Sequence, residues 1–558
     1  MTEYLKLKQS NCKNCYKCIR NCSVKSIGFS DNQANIIKED CILCGHCFVA
    51  CPQNAKEIRN DTERAKLLIA GDRPVYASIA PSFKANYDGI TISAMKKALM
   101  QLGFAGVEET AIGATIVKKQ YDKMVQEARQ SVIISSCCHS VNLLIQKHYP
   151  EAIPFLAPVI SPMQAHCMDI KNRLPDAATV FIGPCISKKD EAGNFATGVE
   201  CVLTFEELSQ WLGNAGITFE NIAEQNDESR ARLFPTTGGI LRTMEKANPD
   251  YSYMAIDGIE SCISAIKDII GGKITHCFIE MSACIGSCIG GPVMDKKNRM
   301  PIRDYVAVDR SAGKRDFDVK EYDSRALQKH LQSLAPKRIH LGSSTVADVL
   351  KKMGKTKPED ELNCGSCGYN TCREKAEAVI RGKANLTMCL PYLKEKAESF
   401  SDNIIQNTPN AIIVLNESLE VQQINAAACK LVNVQNPQNV LNEHIVRILD
   451  PGPFYDAHQN EKNIYEQYTY LAEYQKSVYQ TIIYDKEYHI IICIMRDVSE
   501  EVMRKESKDA IKSLAIEIAD KVIEKQMLAV QEIALLLGET TAETKVALTN
   551  LKETLHNE

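Results

Sequence analysis

Residues 276–292 read HCFIEMSACIGSCIGGP. A short apolar run ends directly in two cysteines at C-x3-C spacing, Cys284 and Cys288, and closes on Gly290-Gly291-Pro292. Two other segments share the build: SVIISSCC (131–138), ending in Cys137 and Cys138, and ATVFIGPC (178–185), ending in Cys185. With VYASIA (75–80), these runs alternate with amphipathic segments such as SAMKKALMQLG (93–103) and IVKKQYDKMVQEA (116–128). Strand–helix alternation predicts parallel α/β lobes over 75–292. Open α/β sheets hold ligands at the carboxyl ends of their strands, so the cysteine loops predict one shared site.

The rest of the chain fits around that centre. Its 558 residues predict three to four domains at about 150 residues each. A hydrophobic fraction of 45% with 24% charge is ordinary for globular protein. The 66 basic against 70 acidic residues give a net charge of −4, which offers no surface for nucleic acid and no polybasic membrane patch. The start, MTEYLKLKQSNCKNC, has no apolar leader core, and no run of about 18 apolar residues occurs. A cytoplasmic protein without a membrane span is the expectation. The 23 cysteines fall as eight in 12–51, nine in 137–288, four in 364–389 and two beyond. An odd number at two- and three-residue spacings argues for thiolate ligands in a reducing compartment, not disulfides.

Cys12, Cys15, Cys18 and Cys22 have the spacing C-x2-C-x2-C-x3-C, repeated by Cys41, Cys44, Cys47 and Cys51 before Pro52. Three thiolates wrap one cube while the fourth reaches the other. One [4Fe–4S] cluster then takes Cys12, Cys15, Cys18 and Cys51, and the other takes Cys41, Cys44, Cys47 and Cys22. The pattern resembles a bacterial two-cluster ferredoxin domain, with Ser23 where a proline usually stands. Eight thiolates at this repeat argue against zinc. The third group, Cys364, Cys367, Cys372 and Cys389, resembles a small [4Fe–4S] domain of anaerobic redox enzymes; a zinc site is the competing reading. The remaining Cys167, Cys201, Cys262, Cys277, Cys429 and Cys493 lack ligand spacing and are expected in the core.

Taken together, the three strand-end loops resemble the signature loops of [FeFe]-hydrogenases. Gly183-Pro184-Cys185-Ile186-Ser187-Lys188-Lys189-Asp190-Glu191 fits that family's P-C-x-x-K-x-x-E. The resemblance implies an H-cluster, a [4Fe–4S] cube joined through one cysteine to a two-iron unit with CO, cyanide and a bridging dithiolate amine. It assigns the cube to Cys138, Cys185, Cys284 and Cys288, with Cys288 bridging. Lys188 is implied to hydrogen-bond a cyanide, and Cys137 and Ser161 to relay protons. Pro184, Gly290 and Gly291 are implied to let backbone approach the diatomic ligands. Two pocket positions depart from the family: Gly183 and Ser282 stand where methionines are usual, Met281 being one position out of register. His139 and Val141 replace a proline and a tryptophan, and His139 is a candidate support for the proton path. The family's relay glutamates follow a strand–loop segment that here reads Ile112–Gln120, without a glutamate at the matching end.

Beyond residue 399, AIIVLNESLEVQQINAAACKLV reads as strand, tight turn, strand and helix, and YQTIIYDKEYHIIICIMRDVS as an antiparallel pair around Asp485-Lys486. These segments resemble a PAS sensor domain, expected to be empty and dimerising, with haem at His444, His458 or His489 the lesser alternative. The tail predicts a helix with Ile511, Leu514, Ile518, Val522, Val530, Ile533 and Leu537 on one stripe, stopped by Gly538, and a capping box from Thr540 to Glu543. YDSRALQKHLQSL (322–334) also reads as a helix.

The expected architecture is multidomain, α/β and α+β. It runs as a two-cluster ferredoxin domain (1–58), a two-lobed H-cluster domain (74–345), a third [4Fe–4S] domain (355–398), a PAS domain (399–499) and a helical signalling tail (500–558). The resemblance extends to the sensory, PAS-containing (group C-like) branch of the hydrogenases. It implies H2 and protons as substrates, slow turnover, a ferredoxin-like redox partner, a kinase or phosphatase downstream, and a homodimer. A bulk-turnover hydrogenase and a non-catalytic iron–sulfur redox sensor are the alternatives.

Overall fold

The computed structural model describes residues 4–30, 33–194, 198–223, 229–246, 248–294, 300–336, 342–460, 462–537 and 542–556. The chain forms two units, Met1–Tyr392 and Leu393–Glu558.

The first unit opens with four short strands, β1 (Leu5–Leu7), β2 (Ile27–Ser30), β3 (Gln33–Ile36) and β4 (Lys56–Ile58). β1 pairs with β4 and β2 with β3, both antiparallel, and between them lie the cysteine loops. Seven strands follow: β5 (Val75–Ile79), β6 (Gly106–Glu109), β7 (Val132–Ile134), β8 (Ala178–Gly183), β9 (Cys201–Thr204), β10 (Ser252–Asp257) and β11 (Cys277–Ser282). They make two sheets, ordered β6-β5-β8-β9 and β10-β11-β7, in which every neighbour is parallel. β7, β8 and β11 are buried at every residue, the behaviour of parallel strands covered on both faces. The predicted lobes are therefore the two sheets, each with its own core. Phe83, Met95, Leu99 and Phe205 fill the first; Tyr121, Ile133, Ile240 and Phe278 fill part of the second.

Two segments differ from their sequence reading. Ile112–Gln120 lies inside the helix Ala111–Glu127, where Ala114, Val117 and Tyr121 bury one face; it is not a strand and loop. YDSRALQKHLQSL is not a helix: 324–327 form a turn and the residues after it run as a strap, because the backbone is committed to a neighbouring segment. Leu327 O accepts from Ile160 N (2.9 Å), and Lys329 N donates to Pro158 O (3.0 Å). That pairing carries Leu327 and Lys329 into the interior. The helix Ser343–Lys352 packs Val346 and Leu350 on Ala376 of the helix Cys372–Ile380.

The second unit is a five-stranded antiparallel sheet with order β13-β12-β16-β15-β14, from β12 (Ala411–Asn416), β13 (Val421–Ile424), β14 (Ile464–Leu471), β15 (Lys476–Asp485) and β16 (Ile490–Asp497). β12 alternates buried and half-buried residues, so one face packs the core around Phe454, Ile482 and Ile491. The helix Ser499–Leu537 carries Ile511, Leu514, Ile518, Val522 and Ile533 exposed. Val530 lies about 100° around from that stripe, by helical geometry, and is half-buried. Gly538 and Thr540 lie outside the described residues. Among the described residues no helix is long and apolar enough to cross a membrane.

Candidate functional site

The loops after β7, β8 and β11 meet around a cavity of about 100 Å3. Cys137, Cys138, Pro184, Cys185, Lys188, Ser282 and Cys288 line it, with Ala80, Phe181, Phe234 and Met281 as apolar wall. Cys284 opens on the other side of its loop, into a cleft shared with Cys44, His46 and Gly290. Burial pushes the Cys138 and Cys284 thiols above their ordinary range; Cys185 adds to both, and Cys138 and Cys288 add to Cys284. The four cube candidates thus stand within electrostatic reach of one another. Iron binding here must displace protons, as thiolate ligation requires.

Two glycines set the loop packing. A Cβ on Gly291 would stand 2.6 Å from Pro184 O, and one on Gly183 would stand 2.7 Å from the Phe181 ring. Phe181 therefore fills the wall that a longer side chain at 183 would occupy.

A buried charge cluster holds Lys188. Its ammonium donates to Cys137 O (3.1 Å) and pairs with Glu191. Glu191 also accepts from Ser161 Oγ (3.0 Å) and from Lys329 Nζ (2.6 Å). Burial works to raise the Glu191 carboxyl, and Lys188 and Lys329 overcome it, leaving it well below the usual carboxylate range. Burial likewise pulls on Lys188, but Glu191 outweighs it and the ammonium is strengthened. Ser161 caps the helix Pro162–Arg173, so its position is fixed by the backbone. His139 opens the helix His139–His148 and pairs with Asp190 (Nε2 to Oδ2, 2.9 Å). Burial lowers its pKa against that carboxylate.

Cys137 Sγ lies 3.1 Å from the Tyr121 hydroxyl, which also accepts from Ser136 N (3.0 Å). Burial pushes the Cys137 thiol up to about 12. Glu280 lines the same cavity and accepts from Gly238 N (3.0 Å) and Leu241 N (3.2 Å). Burial raises its carboxyl to about 7. Sequence reasoning missed Tyr121, Glu280 and Lys329. Only Glu280 left a signal, as the one charged residue in the apolar run HCFIEM.

In the N-terminal region the cysteines gather as the spacing rule predicts. Burial and then the charge of Lys56 act on Cys18, followed by Cys12, Cys51 and Cys15. Cys44, deeply buried, has Cys22, Cys47 and Cys41 as its charged neighbours. Lys56 is 4% exposed, and its ammonium has no hydrogen-bond partner. An uncompensated buried cation is costly. Its charge acts on Cys18 and Cys47, where anionic clusters would supply the missing counter-charge, so the residues present fit cubes. Cys364, Cys367, Cys372 and Cys389 line one pocket with Lys375. Cys167, Cys201, Cys262, Cys277, Cys429 and Cys493 are all buried. His458 and His489 both face the exposed Glu417, at 3.9 and 2.9 Å. Among the described residues no three His, Cys, Asp or Glu side chains gather tightly enough for a single metal ion.

Residues 73–292 match the family model "Iron only hydrogenase large subunit, C-terminal domain". A 4Fe-4S binding domain model matches 34–57, and an Fe-S cluster model matches 360–391. Iron hydrogenase 1 of Clostridium pasteurianum is 22% identical over 306 residues, covering 43% of this chain and 53% of that protein. The periplasmic [Fe] hydrogenase large subunit of Nitratidesulfovibrio vulgaris is 24% identical over 305 residues, 44% and 72% of the two chains. The cytosolic Fe-S cluster assembly factor NAR1 of Kluyveromyces lactis is 22% identical over 286 residues, 43% and 59%. The match thus spans about half the length of the Clostridium enzyme and of NAR1. A solved [FeFe]-hydrogenase HydA1 variant from Chlamydomonas reinhardtii aligns with TM-score 0.38 at 18% identity, over 45% of this chain and 88% of its own. The PAS domain of nitrogen regulation protein NR(II) from Vibrio parahaemolyticus aligns over 17% of this chain and 96% of its own, with TM-score 0.15 at 17% identity. Over residues 73–292 the chain is a hydrogenase-like iron–sulfur protein.

Proposed function

We propose that the protein is a sensory [FeFe]-hydrogenase with slow turnover. The observation that carries this reading is the convergence of Cys138, Cys185 and Cys288, with Cys284 behind them, on a cavity into which Glu191 steadies Lys188. When bound, an H-cluster supplies reversible cleavage of H2 into two protons and two electrons. Cys138, Cys185, Cys284 and Cys288 would hold its cube. Lys188 presents a fixed ammonium to the anionic ligands, and the carbonyl of Cys137 fixes its direction. Phe181, Phe234 and Met281 exclude water. Cys137 holds a proton on its Sγ beside the Tyr121 hydroxyl, and Glu280, titrating near neutrality, is a second proton holder on the cavity wall. His139 is a positioning residue for Asp190 and takes no proton step.

The loops of Cys284 and Cys44 share a cleft, so clusters held by the cavity cysteines and by the ferredoxin-like cysteines would be neighbours and would supply an electron route. A ferredoxin-like carrier is the proposed redox partner, and a kinase or phosphatase the proposed reader of the PAS domain and tail. The exposed stripe on Ser499–Leu537 supports a homodimer through that helix. The location belongs to the proposal as cytoplasmic. Gly183 and Ser282, at positions where the resembling family has methionines, support slow turnover over bulk H2 production.

A second reading has a specific observation behind it. The NAR1 relatives, named as cytosolic Fe-S cluster assembly factors, favour a protein that holds cubes without cleaving H2. Infrared spectroscopy of the anaerobically purified, matured protein separates the readings. CO and cyanide bands that shift under H2, with slow turnover, support the sensor; Cys288→Ala abolishes them. Bands with fast turnover turn the reading to a bulk enzyme. No bands after successful maturation leave the NAR1-like reading.

A further inference from the structure

We infer that the third cysteine set is an outlet of the electron path, entered from the ferredoxin-like region through the segment Cys15–Cys22, and not a detached structural site. This rests on the reading of these cysteine sets as cubes, but not on the hydrogenase reading.

The two regions share one hydrophobic core, with Ile19, Ile27 and Phe29 packed among Tyr369, Ala384 and Met388. Arg20 clamps two cysteine loops together: its guanidinium donates to Cys15 O (3.0 Å) and to Ser366 O (3.2 Å). Lys25 Nζ donates to Gly368 O (2.7 Å). Gly368, beside Cys367, has φ +94°, and a Cβ there would stand 2.7 Å from Ile19 Cγ2. Ile19 itself adjoins Cys18, so the neighbours of two ligand candidates touch. At the far end of the seam Phe29 N donates to Lys383 O (2.9 Å), and Lys383 pairs with Asp40, beside Cys41.

Electron transfer falls steeply with separation, so a redox station needs its loops locked against the next cluster. A structural site has no such need. The seam provides that lock through main-chain carbonyls, which hold whatever the surface residues do. The fully buried Lys375 lines the third pocket. A cation there favours the reduced, more negative cluster, since cluster potentials follow local charge. The third set is therefore where electrons come to rest.

The test uses the full chain reconstituted with iron and sulfide, without the two-iron unit and without H2. Dithionite supplies the electrons: each [4Fe–4S]2+ takes one from SO2•− to become [4Fe–4S]+, and SO2 leaves, with no proton or bond change in the protein. Electron paramagnetic resonance of the fully reduced protein should show a broadened, fast-relaxing signal from spin coupling across the seam. Cys372→Ala with Cys389→Ala should remove about four irons and narrow the remaining signal. Gly368→Val keeps every ligand, so iron content should hold while the broadening falls. Lys375→Met should shift the midpoint of the first-reduced cluster downward. The inference is overturned if the third-set signal is the same whether or not the ferredoxin-like clusters are reduced, if Gly368→Val with full iron keeps the wild-type coupling, or if metal analysis finds zinc at this set.

Discussion

Glu191→Gln strips the carboxylate to which two cations are bound. Lys329 and Glu191 are fully buried, and the Lys188 side chain is 12% exposed. Removing one partner of a buried pair costs about 3–5 kcal/mol, because the other charge is left uncompensated. Lys329 and Lys188 both lose their contact to this carboxylate, so a loss within that range is expected. The damage should be local, since the strap holding Lys329 and the helix Ser187–Asn194 meet at this carboxylate. Deuterium exchange over 322–334 should then accelerate roughly a hundredfold to a few thousandfold, at about tenfold per 1.4 kcal/mol. Exchange in β12–β16 should not change. Adding Lys329→Met removes one of the two ammonium groups and should recover most of the loss. The effect should be flat between pH 5 and 8. A carboxyl with a depressed folded pKa stabilises above its unfolded value of about 4.3 and loses that only as pH falls toward the folded one. Less than tenfold acceleration in Glu191→Gln, or a double variant faster than the single, would refute the reasoning.

Glu280 has the opposite sign. With its carboxyl raised to about 7, the folded chain holds a proton that the unfolded chain has released, so stability should fall by about 3 kcal/mol as pH rises from 4.3 to 7. Urea unfolding at pH 5 and pH 8, followed by the single tryptophan, Trp211, should show that slope lost in Glu280→Gln; equal slopes sink the assignment. Gly183→Met drives a side chain into the Phe181 ring and should cost about 1–3 kcal/mol by overpacking. A melting temperature that Phe181→Ala does not rescue would count against the packing argument. Ile518→Asp places a charge in the exposed helix stripe and should convert a dimer to a monomer by light scattering; a variant that stays dimeric moves the interface elsewhere.

What the sequence disclosed follows from the range of the forces involved. Cysteine spacing is local, so the expected grouping of Cys12, Cys15, Cys18, Cys51 and of Cys41, Cys44, Cys47, Cys22 needed no coordinates, and the structure places Cys12, Cys15 and Cys51 around Cys18 and Cys22, Cys41 and Cys47 around Cys44. The strands were readable because β7, β8 and β11 are buried on both faces and so run apolar without interruption. Lys329 was not, since it meets Glu191 across 138 residues and nothing local marks a lysine for burial. Its segment misled because Leu327, Leu331 and Leu334 have helical spacing, while the backbone is used by Pro158 and Ile160. Ile112–Gln120 misled the other way. Its family counterpart suggested a loop, but its own Ala, Ile and Val positions bury a helical face.

The strap has a consequence for when the pocket can close. Lys329 is delivered from a segment made well after the three cysteine loops. A nascent chain that has emerged only as far as Pro292 carries all four cube cysteines and Glu191, yet lacks one of the two ammonium groups that bind this carboxylate. The full set of contacts to Glu191 therefore forms only once residue 329 has been made. The same holds at the bench: a fragment cut at the end of the matched segment, 73–292, keeps every expected ligand of the cavity but lacks the Lys329 contact to Glu191, whereas one extended through residue 336 contains it.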